Sequence, residues 1–227
     1  VCSEVYGRGG ADRRTGAIRA LKRGLKIYRY HLAVIILLPL LSFLVPQYAG
    51  YWQNYLGTYY SHPIACSLFA ALLIYQPTHM DILPMYVLFL CALPVAVYLF
   101  HSGKGILVII GTVMVWSLGQ AINPNHFVER IMGFDIEKGY FNVLSWQIVF
   151  ACGFIASFYK RELTKLTGKT GIMITLAIIA LSFFILRHSE SSLGQWMLAE
   201  RGEFHIHRFI NFVALIGLSF YVLRHIP

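Results

Sequence analysis

Charge is scarce in this sequence: 13% of its 227 residues are Asp, Glu, Lys or Arg, against about a quarter in soluble domains. With 57% hydrophobic residues and a mean hydropathy of +0.62, that deficit excludes an ordinary soluble domain and makes a bilayer the expected solvent. Cysteine is thin as well. Cys2, Cys66, Cys91 and Cys152 show no CxxC spacing, which argues against a zinc ribbon or a disulfide framework, and three of them lie in apolar stretches as small hydrophobes. Walker, HExxH, GxSxG and dinucleotide-binding fingerprints are all missing, and no internal repeat or low-complexity segment stands out. The chain opens "VCSEVYGRGG", without an initiator Met or the n- and h-regions of a signal peptide, and stops at "VLRHIP" directly after an apolar run. Both ends read as cut, and the expectation is an internal piece of a larger membrane protein.

What the sequence has in quantity is long apolar runs and aromatics. Fourteen Tyr, sixteen Phe and four Trp fit the enrichment of aromatic rings at membrane–water interfaces. Roughly 20 apolar residues cross a bilayer core, with about 17 as a lower limit. Six stretches qualify or nearly so: Tyr30–Pro46, Ile82–Phe100, Ile106–Ile122, Val143–Tyr159, Ile172–Leu186 and Ile206–Leu223. A seventh, Ile64–Tyr75, sits between Pro63 and Pro77 and suits a short re-entrant or interfacial helix. The expected fold is therefore all-α, a polytopic bundle of six spans plus one short helix, in one membrane domain over residues 1–227.

The net charge of +9 is not a nucleic-acid signal here, because eight of nineteen Lys/Arg crowd into Arg8–Arg29 beside the first apolar run. Positive-inside anchoring on membrane lipids explains that placement. Residues 1–29 then form a cytoplasmic basic segment, and the tight, basic loop Lys160–Lys169 joins it on the same side. Both ends of the chain come out cytoplasmic. The outer face carries residues 47–81 with the short helix, Asn123–Asn142 and Arg187–His205.

Several constellations could carry chemistry. In "RALKRGLKIYRYHL", Arg19, Arg23 and Lys26 fall near one helical face with Lys22 adjacent. This is a lipid anchor, a cradle for a phosphorylated donor, or both. In "QPTHMDILPMY", Asp81 precedes a span and Pro84 falls in its first turn, the pattern of a helix cap. The same Asp81, with His79 two residues away, could instead be a working carboxylate and proton shuttle at an outer mouth. In "FNVLSWQIVF", Asn142, Ser145, Trp146 and Gln147 place amides and an indole at a span's outer end, as an interface anchor or a sugar-binding mouth. The "HIHR" stretch, His205–Arg208, has spacing that does not put two His on one helix face; interfacial snorkelling is its expected role, and no metal site is expected. His31, His62, His101, His126, His188 and His225 receive no role. These features describe a bundle with a basic edge and a polar mouth without separating an enzyme from a transporter.

The stretches "DILPMYVLFL" and "FNVLSWQIVFACG", with "RFINFVALIGL" near the end, resemble the OpgC-type family. These are membrane proteins that succinylate osmoregulated periplasmic glucans in Gram-negative bacteria. The resemblance extends over essentially the whole chain. It implies transfer of an acyl group, succinyl above all, from a cytoplasmic acyl-CoA donor to glucan hydroxyls, with no bound cofactor, in the bacterial inner membrane. It further implies Arg19, Lys22, Arg23 and Lys26 near the donor, Asp81 and His79 at the transfer site, and Asn142, Trp146 and Gln147 toward the acceptor. The wider acyltransferase group has R-x-x-R where this chain has Arg23-Gly-Leu-Lys26, so the second fork is replaced by a point charge. The family's opening F-D-x-x-R-G segment, its Asp-His carrying the expected base, and its later GxxSL span are not in this sequence. The resemblance thus implies about four further spans and a chain inactive alone. The competing reading is a transporter or flippase for a glycan or organic anion, with a membrane scaffold as a third.

Overall fold

The computed structural model describes residues 13–77, 80–122, 130, 141–189, 192, 195 and 204–225. Among them the regular structure is entirely helical. The order is α1 (Arg13–Leu44), a 3-10 turn (Pro46–Tyr48), α2 (Ala49–Ser61), α3 (Pro63–Ala71), α4 (Ile82–His101), α5 (Gly105–Ala121), α6 (Val143–Phe158), α7 (Lys160–Thr167), α8 (Thr170–His188) and α9 (Ile206–His225). All six apolar stretches form helices, and the short seventh becomes the 9-residue α3. Residues 15–44 of α1, all of α4 and all of α8 are long and apolar enough to cross a membrane. The pair α6 and α7, bent by 91°, would make a fourth span, while α5 and the apolar part of α9 are shorter.

Two elements depart from the sequence reading. First, the basic stretch and the first apolar stretch are one helix of 32 residues. Apart from Gly24, "RALKRGLK" is built from strong helix formers, and the helix runs on through the polarity change. Pro39 lies inside α1, and the Ser42 hydroxyl donates to its carbonyl at 2.7 Å. Second, residues 49–61, rich in Tyr and expected only as an outer segment, form α2, which kinks at Leu56.

The helices pack mainly as antiparallel neighbours: α1 along α4, α5 along α6, and α8 along α9. Gly103, at φ +74°, lets the chain reverse between α4 and α5. One face of α1 is buried, with Ala20, Gly24, His31 and Ile35 at helical spacing. Its lower part meets Leu90, Leu93 and Val97 of α4 and Phe154 of α6. Its upper part meets Cys66, Ala70 and Tyr75. Since Gly24 stands opposite Leu90, the start of α4 lies level with about residue 32 of α1, given a rise of ~1.5 Å per residue. The basic half of α1 therefore runs beside the apolar α4. The apolar half continues past it and meets α2 and α3 along one face, leaving the rest exposed.

The α3 helix folds back along α1, from the Tyr60–Ser42 hydroxyl contact down to two bonds that close its end. Tyr28 donates to the Ala71 carbonyl at 2.8 Å, and the buried His31 bonds through Nε2 to the Ala70 carbonyl at 2.9 Å. Both carbonyls belong to the last turn of α3, where helical partners run out; the Ala70 carbonyl also accepts the Leu73 amide at 3.0 Å. Leu73, at φ +63°, then turns the chain in the left-handed region, a strain a non-glycine residue carries only when its surroundings hold it. A short helix ending among apolar residues needs these side-chain donors.

Between α5 and α6 the backbones approach closely. A Cβ on Gly119 would lie 2.7 Å from the Ser145 nitrogen and 2.8 Å from its hydroxyl, so only glycine fits. Gly119→Ala should lower stability by about 1–3 kcal/mol through overpacking. A thermal midpoint equal to wild type in detergent would show that the pair can separate at no cost. His31→Leu should also destabilise by about 1–3 kcal/mol, because it strips the donor from the α3 end. Proteolysis within residues 72–77 should rise in that variant if the bond holds the turn.

Candidate functional site

With the helices alternating in direction, the start of α4, the end of α5, the start of α6 and the start of α9 share one end of the bundle. The first group there is Asn142, the N-cap of α6, whose side-chain oxygen accepts from the Leu144 amide at 3.0 Å. Its amide nitrogen donates to the Gly119 carbonyl at 2.8 Å and the Ile122 carbonyl at 3.4 Å. One side chain thus caps the start of one helix and the end of its neighbour. It is 2% exposed, so its part in a site is to hold position.

Asp81 is 1% exposed. The capping reading of the sequence does not hold: Asp81 stands at the N-cap of α4, but its side chain makes no cap bond. The reason is local. An N-cap carboxylate reaches for the amide of the second or third helical residue from an extended backbone; Asp81 has helical angles (φ −73°, ψ −18°), and the third residue here is Pro84, which has no N–H. The carboxylate instead accepts the Phe141 amide at 2.7 Å, across 60 residues of sequence. Its other oxygen, Oδ1, is buried with no hydrogen-bond partner among the described residues. A buried carboxylate oxygen without a donor is costly and marks a place for a hydroxyl or water. Asp81 and Asn142 are therefore brought together, through the consecutive residues 141 and 142. His79 lies outside the described residues.

Next to this pair the aromatic rings form a panel. Trp146, half-buried, packs against Phe141 at 4.7 Å and Phe204 at 4.9 Å between centroids, and Phe204 meets Phe212 edge-on at 5.9 Å. Gln147 turns away along α6 and donates to the Thr112 carbonyl at 2.7 Å. It is thus placed on the α5–α6 seam below the mouth, apart from the Asp81–Asn142–Trp146 group.

The sequence reading passed over a second polar group here. Gln120 donates to the Ser145 hydroxyl at 3.1 Å and meets His205 Nδ1 through its oxygen at 2.6 Å. Trp116 Nε1 donates to the Phe204 carbonyl at 2.7 Å. These bonds tie α5, α6 and the start of α9 into one unit. Gln120, a lone amide at the end of an apolar run, was the available signal.

The basic candidates stand elsewhere. Arg19, Lys22, Arg23 and Lys26 are exposed on α1, on the side away from the Ala20–Gly24–His31 packing face. Lys22, Leu25, Lys26, Arg29 and Tyr30 line an open hollow along that side. The level of Lys22 is about ten residues of helix, or ~15 Å, from that of Asp81. Because this stretch runs beside the apolar α4, its charges share the depth of an apolar helix, where exposure to hydrocarbon is expensive. Among the described residues no three His, Cys, Asp or Glu side chains converge as metal ligands, and the His205 and His207 rings stack at 5.8 Å.

No curated protein and no solved structure matches the chain. One protein-family model does, described as "OpgC protein", and it matches residues 1–226. With helices apolar enough to cross a bilayer, this is a membrane protein, and it belongs to the OpgC protein family, a family of membrane acyltransferases.

Proposed function

We propose that the intact enzyme moves an acyl group, succinyl in the first instance, from a cytoplasmic acyl-CoA-type donor to hydroxyls of a periplasmic glucan. We place it in the bacterial inner membrane, with the basic side of the bundle toward the cytoplasm and the Asp81 mouth toward the periplasm. The observation that carries the reading is the separation of two unlike polar surfaces on one apolar bundle. One is the exposed cationic strip of α1, and the other is a mouth with a buried carboxylate beside an aromatic panel.

Each surface has the chemistry its half of the reaction requires. Arg forks and Lys ammonium groups bind phosphates, so Arg19, Lys22, Arg23 and Lys26 would hold the donor's phosphorylated end. The indole of Trp146 offers a flat face on which a sugar ring can lie, while Asn142 holds the frame and Gln147 supports it from the seam. Asp81 Oδ1, an acceptor in want of a donor, would take the hydrogen bond of an incoming hydroxyl. The hydroxyl oxygen then attacks the thioester carbonyl, the C–S bond breaks, and the thiolate leaves. The proton passes to a base, for which His79, two residues from Asp81 in the sequence, is the candidate.

Two outcomes follow for the full-length protein. Asp81→Asn keeps an oxygen for the Phe141 amide but puts a donor where the unpartnered acceptor stands. Acylated glucan, measured by mass spectrometry of extracts, should fall about 100-fold or more with the protein still inserted and folded. Wild-type acylation in that variant would reduce Asp81 to a clamp on Phe141. Arg23→Gln with Lys26→Gln should raise the donor KM about tenfold or more, as expected for loss of charge-assisted bonds, with the glucan KM unchanged. An unaltered donor KM would leave the strip as a lipid anchor.

A further inference from the structure

At the end of the bundle opposite the Asp81 mouth, the basic stretch Lys160–Lys169 reads from the sequence as a tight loop, and the structure makes most of it a helix. The chain leaves α6 at Phe158 and bends by 91° into α7. With α6 crossing a bilayer, α7 therefore lies in the plane of the membrane surface. The end of α4 is level with it, since Phe100 stacks on Phe158 at 4.5 Å and meets Tyr159 edge-on at 6.3 Å.

Unlike the spans, α7 has two sharply different faces. Tyr159, Leu163 and Leu166 recur at i, i+4 and i+7, which makes one apolar stripe. Arg161 and Lys165, at i and i+4, take the opposite side, with Lys160 at its edge. Leu163 is half-buried, but Tyr159 and Leu166 are 44% and 45% exposed. Charge is lopsided as well. From Lys160 to Lys169 four cations stand against the single acid Glu162, and Lys104, exposed in the turn from α4 to α5, adds a fifth cation at this end. Eight residues are also few for a helix. Isolated helices shorter than about 12–15 residues are marginal in water, and no side-chain bond caps α7 at Tyr159. Its contacts with α6, α8 and α9 leave the ends of the stripe open. A protein partner would need about 800 Å² of surface on its side, far more than three side chains offer. A lipid surface needs only an apolar stripe in its plane with cations at the level of its phosphates, and α7 supplies both.

We propose that α7 is an interfacial helix that docks on anionic phospholipid headgroups: Tyr159, Leu163 and Leu166 enter the acyl boundary, and Lys160, Arg161 and Lys165 meet headgroup phosphates. Because α7 joins α6 to the α8–α9 hairpin, the docked helix fixes the turn between them. The inference needs the protein to be in a membrane and does not draw on the acyl-transfer reading.

The test is hydrogen–deuterium exchange of the full-length protein in nanodiscs, read at the amides of residues 163–167. In discs that mix phosphatidylcholine with phosphatidylglycerol, exchange should be about tenfold slower or more than in phosphatidylcholine alone, and high salt should remove the difference. Arg161→Gln should speed exchange about fivefold in the mixed discs, as for one cation lost at a charged surface. Lys160→Gln, Arg161→Gln and Lys165→Gln together should bring it to the phosphatidylcholine rate. Gln keeps the helix propensity, and unchanged exchange in α4 and α6 shows that the fold persists. Lys160→Arg with Lys165→Arg, which keeps the charge, should leave the slow exchange intact. Equal exchange in the two kinds of disc overturns the proposal. So does slow exchange that survives the triple substitution, since α7 is then held by its helix neighbours alone. If coenzyme A added to phosphatidylcholine discs slows exchange and phosphatidylglycerol does not, the cations serve a soluble phosphorylated ligand and the proposal falls.

Discussion

The mouth of this protein depends on one amide side chain. Asn142 begins α6 by accepting from Leu144 and ends α5 by donating to Gly119 and Ile122. Helix ends carry several backbone groups with no partner, and an apolar surround offers no water to satisfy them. By serving both ends, Asn142 sets the two helices in register. That register brings Gly119 against Ser145, and Ser145 in turn anchors Gln120. Gln120 and His205 are reached by following bonds outward from Ser145. Asp81 joins through the amide of Phe141, the residue before Asn142.

The same constraint operates at α3. Its final carbonyls are met by Tyr28 and His31 from α1, so a helix of 9 residues can stop among apolar neighbours. Much of the remaining surface is apolar and outward-facing: Leu37, Leu41, Phe43, Ile110, Ile178 and Phe184 are among the exposed large side chains. In water such a surface would drive aggregation. In lipid it costs nothing, and cohesion comes instead from small residues at close crossings and from internally satisfied polar groups.

How much of this could be read from the sequence follows from the range of each interaction. The helices were legible because a run of apolar residues is a local property, and five of the six expected stretches agree with their helices to within a residue or two. The continuous α1 was missed because polarity changes at Tyr30 while helix propensity does not. Of the two readings the sequence left for Asp81, the cap bond is not made, because its backbone is helical and Pro84 removes one of the two amides a cap would use. Asn142 and Trp146 were picked out as polar and aromatic groups at a span's end, which needs no long-range knowledge. The link between Gln120 and His205, 85 residues apart, lay beyond reach, since nothing local in "SLGQA" or "HIHR" says that they meet.

The offset between α1 and α4 bears on how two substrates from opposite sides of a membrane could be joined. If the cationic strip binds the donor's charged end, the ~15 Å of helix between the levels of Lys22 and Asp81 has to be bridged by the donor itself. A compact phosphorylated donor would leave its reactive carbon far from the mouth. A donor whose phosphates and thioester are joined by a long flexible arm closes the gap, with the charge held at one depth and the carbonyl delivered at another. Were the strip to bind the donor, its place beside α4 would keep that gap short. Each turn by which the basic residues move outward along α1 adds ~5.4 Å to the distance the arm must cover. Cations beside an apolar helix are expensive where lipid surrounds it, and binding a phosphorylated donor would give a physical reason to tolerate that cost.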